Sequence, residues 1–128
     1  KGLESRVKFL GFRSEISELM SACNLVVHSS TAPEPFGRVI VEAMLCGTPV
    51  IAAAAGGVTE LITDGETGWL CPPSNSQKLA KTILTCQDNP KEQKIIAQKA
   101  RIQAQRQFDL DIVCKEITQF AKESIAHL

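Results

Sequence analysis

Short apolar runs alternate with helical-period segments through the first half of the chain, and that alternation leaves few folds open. Val7 to Leu10, Leu25 to His28, Thr48 to Ala52 and Trp69 to Cys71 each have the length of a buried strand. Between the first two, Ile16, Leu19, Met20 and Cys23 recur at helical spacing, with Ser14 placed to cap them and Glu15 at the positive end. A second helix is expected to start near Gly37 and to carry Val39, Ile40, Ala43 and Met44 until Gly47 ends it. Gly56-Gly57 then makes a loop, Val58 to Thr63 a short helix, and Asp64-Gly65 with Thr67-Gly68 the turn into the last strand. Strands separated by helices imply an α/β, Rossmann-like parallel sheet with flanking helices.

The second half reads as helical. Ser74 or Ser76 is expected to cap a helix bearing Leu79, Ile83 and Leu84, and Pro90 suits the first turn of the next. Asp109 is placed to cap a third, with Leu110, Val113, Ile117, Phe120 and Ala121 on one packing face. The 128 residues therefore read as one folding unit, residues 1 to 73 forming its α/β part and residues 74 to 128 its helical tail. Lys1 in place of Met, so close to the first apolar run, reads as a cut from a longer parent.

Charge narrows the function. Fourteen basic and fourteen acidic side chains cancel, so no field of one sign gathers nucleic acid or an anionic membrane surface. The densest basic group, Lys91, Lys94, Lys99, Arg101 and Arg106, is interleaved with Gln on a helical stretch and reads as a solvated face. Five cysteines stand far apart, with no C-x-x-C and no histidines at zinc spacing. No metal or cofactor is expected. An odd cysteine count without a secretory leader fits reduced thiols in the cytoplasm, most of them acting as small core apolars. The longest uncharged apolar run, Pro49 to Ala55, is too short to span a bilayer.

The chemistry is concentrated in Glu34-Pro-Phe-Gly-Arg-Val-Ile-Val-Glu42. Glu34 precedes the helix and Glu42 lies more than a turn inside it, so at ~1.5 Å rise per residue their carboxylates stand on the order of 10 Å apart. That distance excludes a proton-sharing pair, and nothing in a loop-then-helix arrangement guarantees the spacing of a hydrolytic pair. A carboxylate accepts from two neighbouring hydroxyls, so each acid suits a sugar diol. Between them the amides of Phe36, Gly37, Arg38 and Val39 stand at the positive end of a helix, where unbonded N–H groups favour phosphate. The order diol, diphosphate, diol is that of a nucleotide sugar: hexose, two phosphates, ribose. The segment also falls beyond the carboxyl end of a strand, where open parallel sheets bind ligands.

The segments Glu34 to Glu42, Ala43-Met-Leu-Cys-Gly47-Thr-Pro49, Ala55-Gly-Gly-Val-Thr-Glu60 and Asp64-Gly-Glu-Thr-Gly68-Trp-Leu-Cys-Pro72 together resemble the donor-binding domain of family-4 retaining glycosyltransferases of GT-B fold. Val7-Lys-Phe-Leu-Gly11-Phe12 and Met20-Ser-Ala-Cys-Asn24 resemble it too, Asn24 standing where Asp is common. The resemblance implies that Glu34 holds hydroxyls of the donor hexose, helped by the backbone of Phe36 and Gly37. It implies that Arg38 and Val39 offer amides to the diphosphate, that Glu42 binds the ribose, and that the base rests on the loop at Phe12 and Arg13. It further implies that a basic pair clamping the phosphates, and an acceptor domain taking a sugar or lipid, lie upstream of Lys1. On that reading a UDP-, GDP- or ADP-linked hexose passes to an acceptor hydroxyl with retention, the isolated chain is inactive, and the parent has room for peripheral membrane association.

Other residues read more plainly. Gly56 and Gly57 form a turn, Gly57 also lining the site through its bare backbone. Glu60 is a helix-end or packing carboxylate, and Trp69 packs. His28, beside Ser29 and Ser30, reads as a hydrogen-bonded structural residue before a catalytic one. The competing class is a non-catalytic Rossmann-like nucleotide module, but no G-x-G-x-x-G follows the first strand and no acidic residue ends the next. A degenerate copy is disfavoured because both glutamates and Gly37 are intact.

Overall fold

The computed structural model describes residues 2–126. Nine elements follow one another among them: α1 (Ile16–Ala22), β1 (Val26–His28), α2 (Arg38–Leu45), β2 (Val50–Ala53), α3 (Val58–Leu61), β3 (Trp69–Cys71), α4 (Ser76–Asp88), α5 (Pro90–Gln107) and α6 (Leu110–Ala126). The sheet is parallel, in the order β1-β2-β3, with Val26 opposite Val50 and Ile51 opposite Trp69.

Every residue of central β2 is buried. Side chains alternate across a strand, so Val50 and Ala52 join α2, α3 and α5 in one cluster with Ile40, Ala43, Met44, Val58, Leu61, Ala100 and Ala104. Ile51 faces the other way and meets Cys71 and Cys86, with Leu79, Ile83 and Trp69 packed around them. Burial of Ile40 and Ile51 contributes about 1.5–3 kcal/mol each. Polar ties set the register of this stack: Thr48 Oγ1 donates to the Met20 carbonyl at 2.7 Å, and Gln103 Nε2 donates to the Leu61 carbonyl at 2.9 Å.

Several expectations need correction. Val7 to Leu10 forms no strand: among the described residues no segment pairs with it, and Phe9 is 95% exposed. Apolar alternation is a local property, whereas a ladder needs a neighbour. Ser14 does not cap α1; Glu15 occupies that position, and the Ser14 hydroxyl donates to its carboxylate at 3.1 Å. Asn75, not Ser74 or Ser76, caps α4 by accepting from the Lys78 amide. Asp109 does cap α6, accepting from the Asp111 and Ile112 amides. The apolar face of α6 packs little, however, since Leu110, Ile117 and Phe120 are exposed. Among the cysteines only Cys71 and Cys86 are buried; Cys23 and Cys114 are exposed and Cys46 is half-buried, so most do not serve the core.

Candidate functional site

The site is built where the chain leaves β1 and β2. Gly37 stands at the start of α2 with φ 95°, a left-handed conformation that swings the Glu34–Phe36 loop away from the helix axis. A side chain there would meet Leu61 and Ile40 at 3.1 and 3.2 Å, so the position is closed on space as well as on backbone conformation. α2 has no side-chain cap; its first internal bonds run from the Ile40 and Val41 amides to the Gly37 carbonyl. Among the described residues the amides of Phe36, Gly37, Arg38 and Val39 donate to no backbone or side-chain acceptor. Four N–H groups thus remain at the positive end of a helix.

Two acids flank these amides. Glu42, one turn into α2, pairs loosely with Arg38 at 3.7 Å. It also lines a cavity of about 370 Å³ with Ile16, Ser17, Met20, Leu45 and Cys46. Glu34 lies in the loop ahead of α2, with its carboxylate 3.7 Å from His28 Nε2. His28 ends β1. Contrary to the expectation of a hydrogen-bonded structural histidine, its Nδ1 is buried without a partner among the described residues. Nε2 stands beyond hydrogen-bond distance of Glu34.

The loops after β1 and β2 are joined. Glu34 and Gly56 form a parallel β-bridge, and the Gly57 amide donates to the Glu34 carbonyl at 2.8 Å. Both glycines serve this approach. A side chain on Gly56 would collide with the Glu34 carbonyl oxygen, and one on Gly57 would lie 2.6 Å from the Pro35 oxygen. The space that a side chain on Gly57 would fill is therefore taken by the chain's own backbone. Beneath the loop, Phe36 meets Phe108 edge to face, centroids 5.6 Å apart, so the end of α5 supports the site. Sequence separation hides that contact from any periodic signal.

Phe12 is 96% exposed, and Arg13 pairs with Glu15 at 3.3 Å in the segment entering α1. Exposed Glu60 lies in the single turn of α3, a helix-end carboxylate as read. Trp69 is half-buried against the second cluster. A cleft of about 800 Å³ lies at the other end of the sheet, around Asn24, Gly47, Pro49, Gln93, Lys94 and Arg101. Volume alone is a poor guide here, because the uncapped helix start and both acids are elsewhere. Among the described residues no cluster of His, Cys, Asp or Glu is arranged to hold a metal ion, and no helix is long and apolar enough to cross a membrane.

An uncapped helix start between two acids, at the carboxyl ends of a parallel sheet, defines an α/β class with its candidate site at the strand ends. The chain belongs to the glycosyl transferases group 1 family, whose profile matches residues 1–103. It is similar to Anabaena Alr3699/HepE, at 54% identity over 99% of this chain and 34% of that one, with a TM-score of 0.86. That protein's structures hold UDP and glucose, UDP-glucose, or UDP. A sucrose-phosphate synthase from Thermosynechococcus elongatus is 34% identical with a TM-score of 0.87, over 98% of this chain and 32% of its own. The N-acetyl-alpha-D-glucosaminyl L-malate synthase of Bacillus anthracis is 33% identical over 83% of this chain and 28% of its own length. The chain thus spans about a third or less of these relatives. Its parallel sheet with flanking helices is the C-terminal, Rossmann-like half of the GT-B fold.

Proposed function

We propose that the chain binds the donor of a retaining glycosyltransferase, a UDP-linked hexose with glucose as the first candidate. The observation that carries this reading is the uncapped start of α2, where four amides with no acceptor among the described residues lie between Glu34 and Glu42. The diphosphate takes the Arg38 and Val39 amides, Glu42 takes the ribose diol and Glu34 the hexose hydroxyls, with the backbone of Phe36 and Gly37 beside it. Phe12 and Arg13 lie at the base end. Gly57 contributes by letting the Glu34 loop approach. The likeness to Alr3699/HepE, solved with UDP-glucose, supports the choice of donor.

Departure of the diphosphate is the difficult step, and fixed amide dipoles stabilise the charge that develops on it. The proposal calls on no metal or cofactor. Residues 1 to 128 act as one unit in it, and acceptor contacts and further phosphate-binding cations belong to the rest of a cytoplasmic parent, so the chain alone is inactive in transfer.

Calorimetry with UDP, UDP-glucose, GDP- and ADP-glucose and NAD tests the reading. Glu42→Ala should weaken UDP and UDP-glucose alike, and Glu34→Ala should weaken UDP-glucose roughly tenfold while sparing UDP, the scale of one hydrogen bond to a charged group. Equal losses of both ligands in both variants, or binding of NAD alone, would overturn it.

A further inference from the structure

We infer that His28 is a positioning residue for Glu34, its Nε2–H turning the carboxylate toward the hexose; this rests on the donor reading above. Three observations converge. The Glu34 main chain is pinned by its bridge to Gly56 and its bond from the Gly57 amide. Its side chain makes no hydrogen bond among the described residues, and His28 Nε2 stands 3.7 Å from its carboxylate. Finally, His28 Nδ1 is buried without a partner.

The third observation fixes the tautomer. A proton on Nδ1 would be a buried orphan donor, which folded proteins tolerate less than an under-used acceptor. The proton therefore resides on Nε2, on the side of Glu34. The gap is too long for a hydrogen bond, but contacts of this kind tighten when ligand binds, and only the half-exposed Glu34 side chain has to rotate. One carboxylate oxygen then accepts from His28 and the other is left for a hexose hydroxyl.

The test separates the two ring nitrogens by substitution. Glutamine places its amide nitrogen near Nε2, asparagine near Nδ1, and phenylalanine keeps the ring without either. The quantity measured is the ratio of UDP-glucose to UDP affinity for the 128-residue chain. His28→Gln should keep this ratio within about threefold, whereas His28→Asn and His28→Phe should lower it roughly tenfold with UDP affinity unchanged. His28→Phe should not lower the unfolding temperature, because it removes the orphan nitrogen. A ratio retained in His28→Asn, or lost equally in His28→Gln, overturns the inference. Glu34→Ala, run in parallel, tells the two failures apart. If it lowers the ratio and His28→Phe does not, only the role of His28 falls; if the wild-type chain binds no nucleotide sugar, the donor reading falls and this inference with it.

Discussion

Cys86 illustrates how one buried side chain couples the core to pH. Burial, and then the neighbouring Glu92 carboxylate, push its thiol up to about 11. Burial and then Asp64 raise Cys71 in the same direction. In the unfolded chain a thiol ionises near about 8.5. Across the window between the two values the unfolded chain has released a proton that the folded chain keeps, so stability falls as pH rises and is level below it. Denaturant midpoints measured from pH 8 to 11 should therefore decline, and less steeply in Cys86→Ala; equal slopes in the two proteins would contradict the coupling. Burial of Cys71 and Cys86 is consistent with the apolar runs and helical faces they sit in, but exposure of Cys23 and Cys114 is not written in residue type. It depends on what covers α1 and α6. His28 has the same character: its place at a strand end is legible, its nearness to Glu34 is set by a loop that only the fold closes.

At the scale of elements, the start of α2 was readable because each signal was local. Gly37, the uncapped first turn and the two flanking acids lie within nine consecutive residues, and helical geometry converts their order into an arrangement in space. The Val7 to Leu10 segment carried an equally local signal and failed, since pairing is a property of two segments. The fit of Gly56 and Gly57 against the Glu34–Phe36 backbone was likewise invisible, being a contact between two crossover loops. It makes a sharp prediction. Gly57 has φ −61°, which alanine adopts freely, so Gly57→Ala introduces a collision with the Pro35–Phe36 backbone, nearest at the Pro35 oxygen, without backbone strain. It should displace the Glu34 loop and reduce UDP-glucose binding more than UDP binding, as read by calorimetry. Unchanged binding of both would show that the close approach is not needed. Gly56→Ala is the less informative change, because its φ of +65° adds backbone strain to the collision.

For the molecule as a whole, stability is unevenly shared. The layers meeting on β2 carry the core, whereas the apolar stripe of α6 is open to solvent. Ile40→Ala should cost about 2–5 kcal/mol, as buried truncations do, while Phe120→Ser should stay within about 0.5 kcal/mol. Urea unfolding followed by circular dichroism distinguishes them, and a Phe120→Ser loss as large as that of Ile40→Ala would mean that α6 belongs to the cooperative core. The bridge between Glu34 and Gly56 has a consequence of another kind. Two crossovers spliced by a single rung cannot be exchanged independently, so a chimaera that takes the loop after β2 from a relative with different sugar preference must import the loop after β1 as well. If the proposed donor site holds, the two loops are inherited as a matched pair.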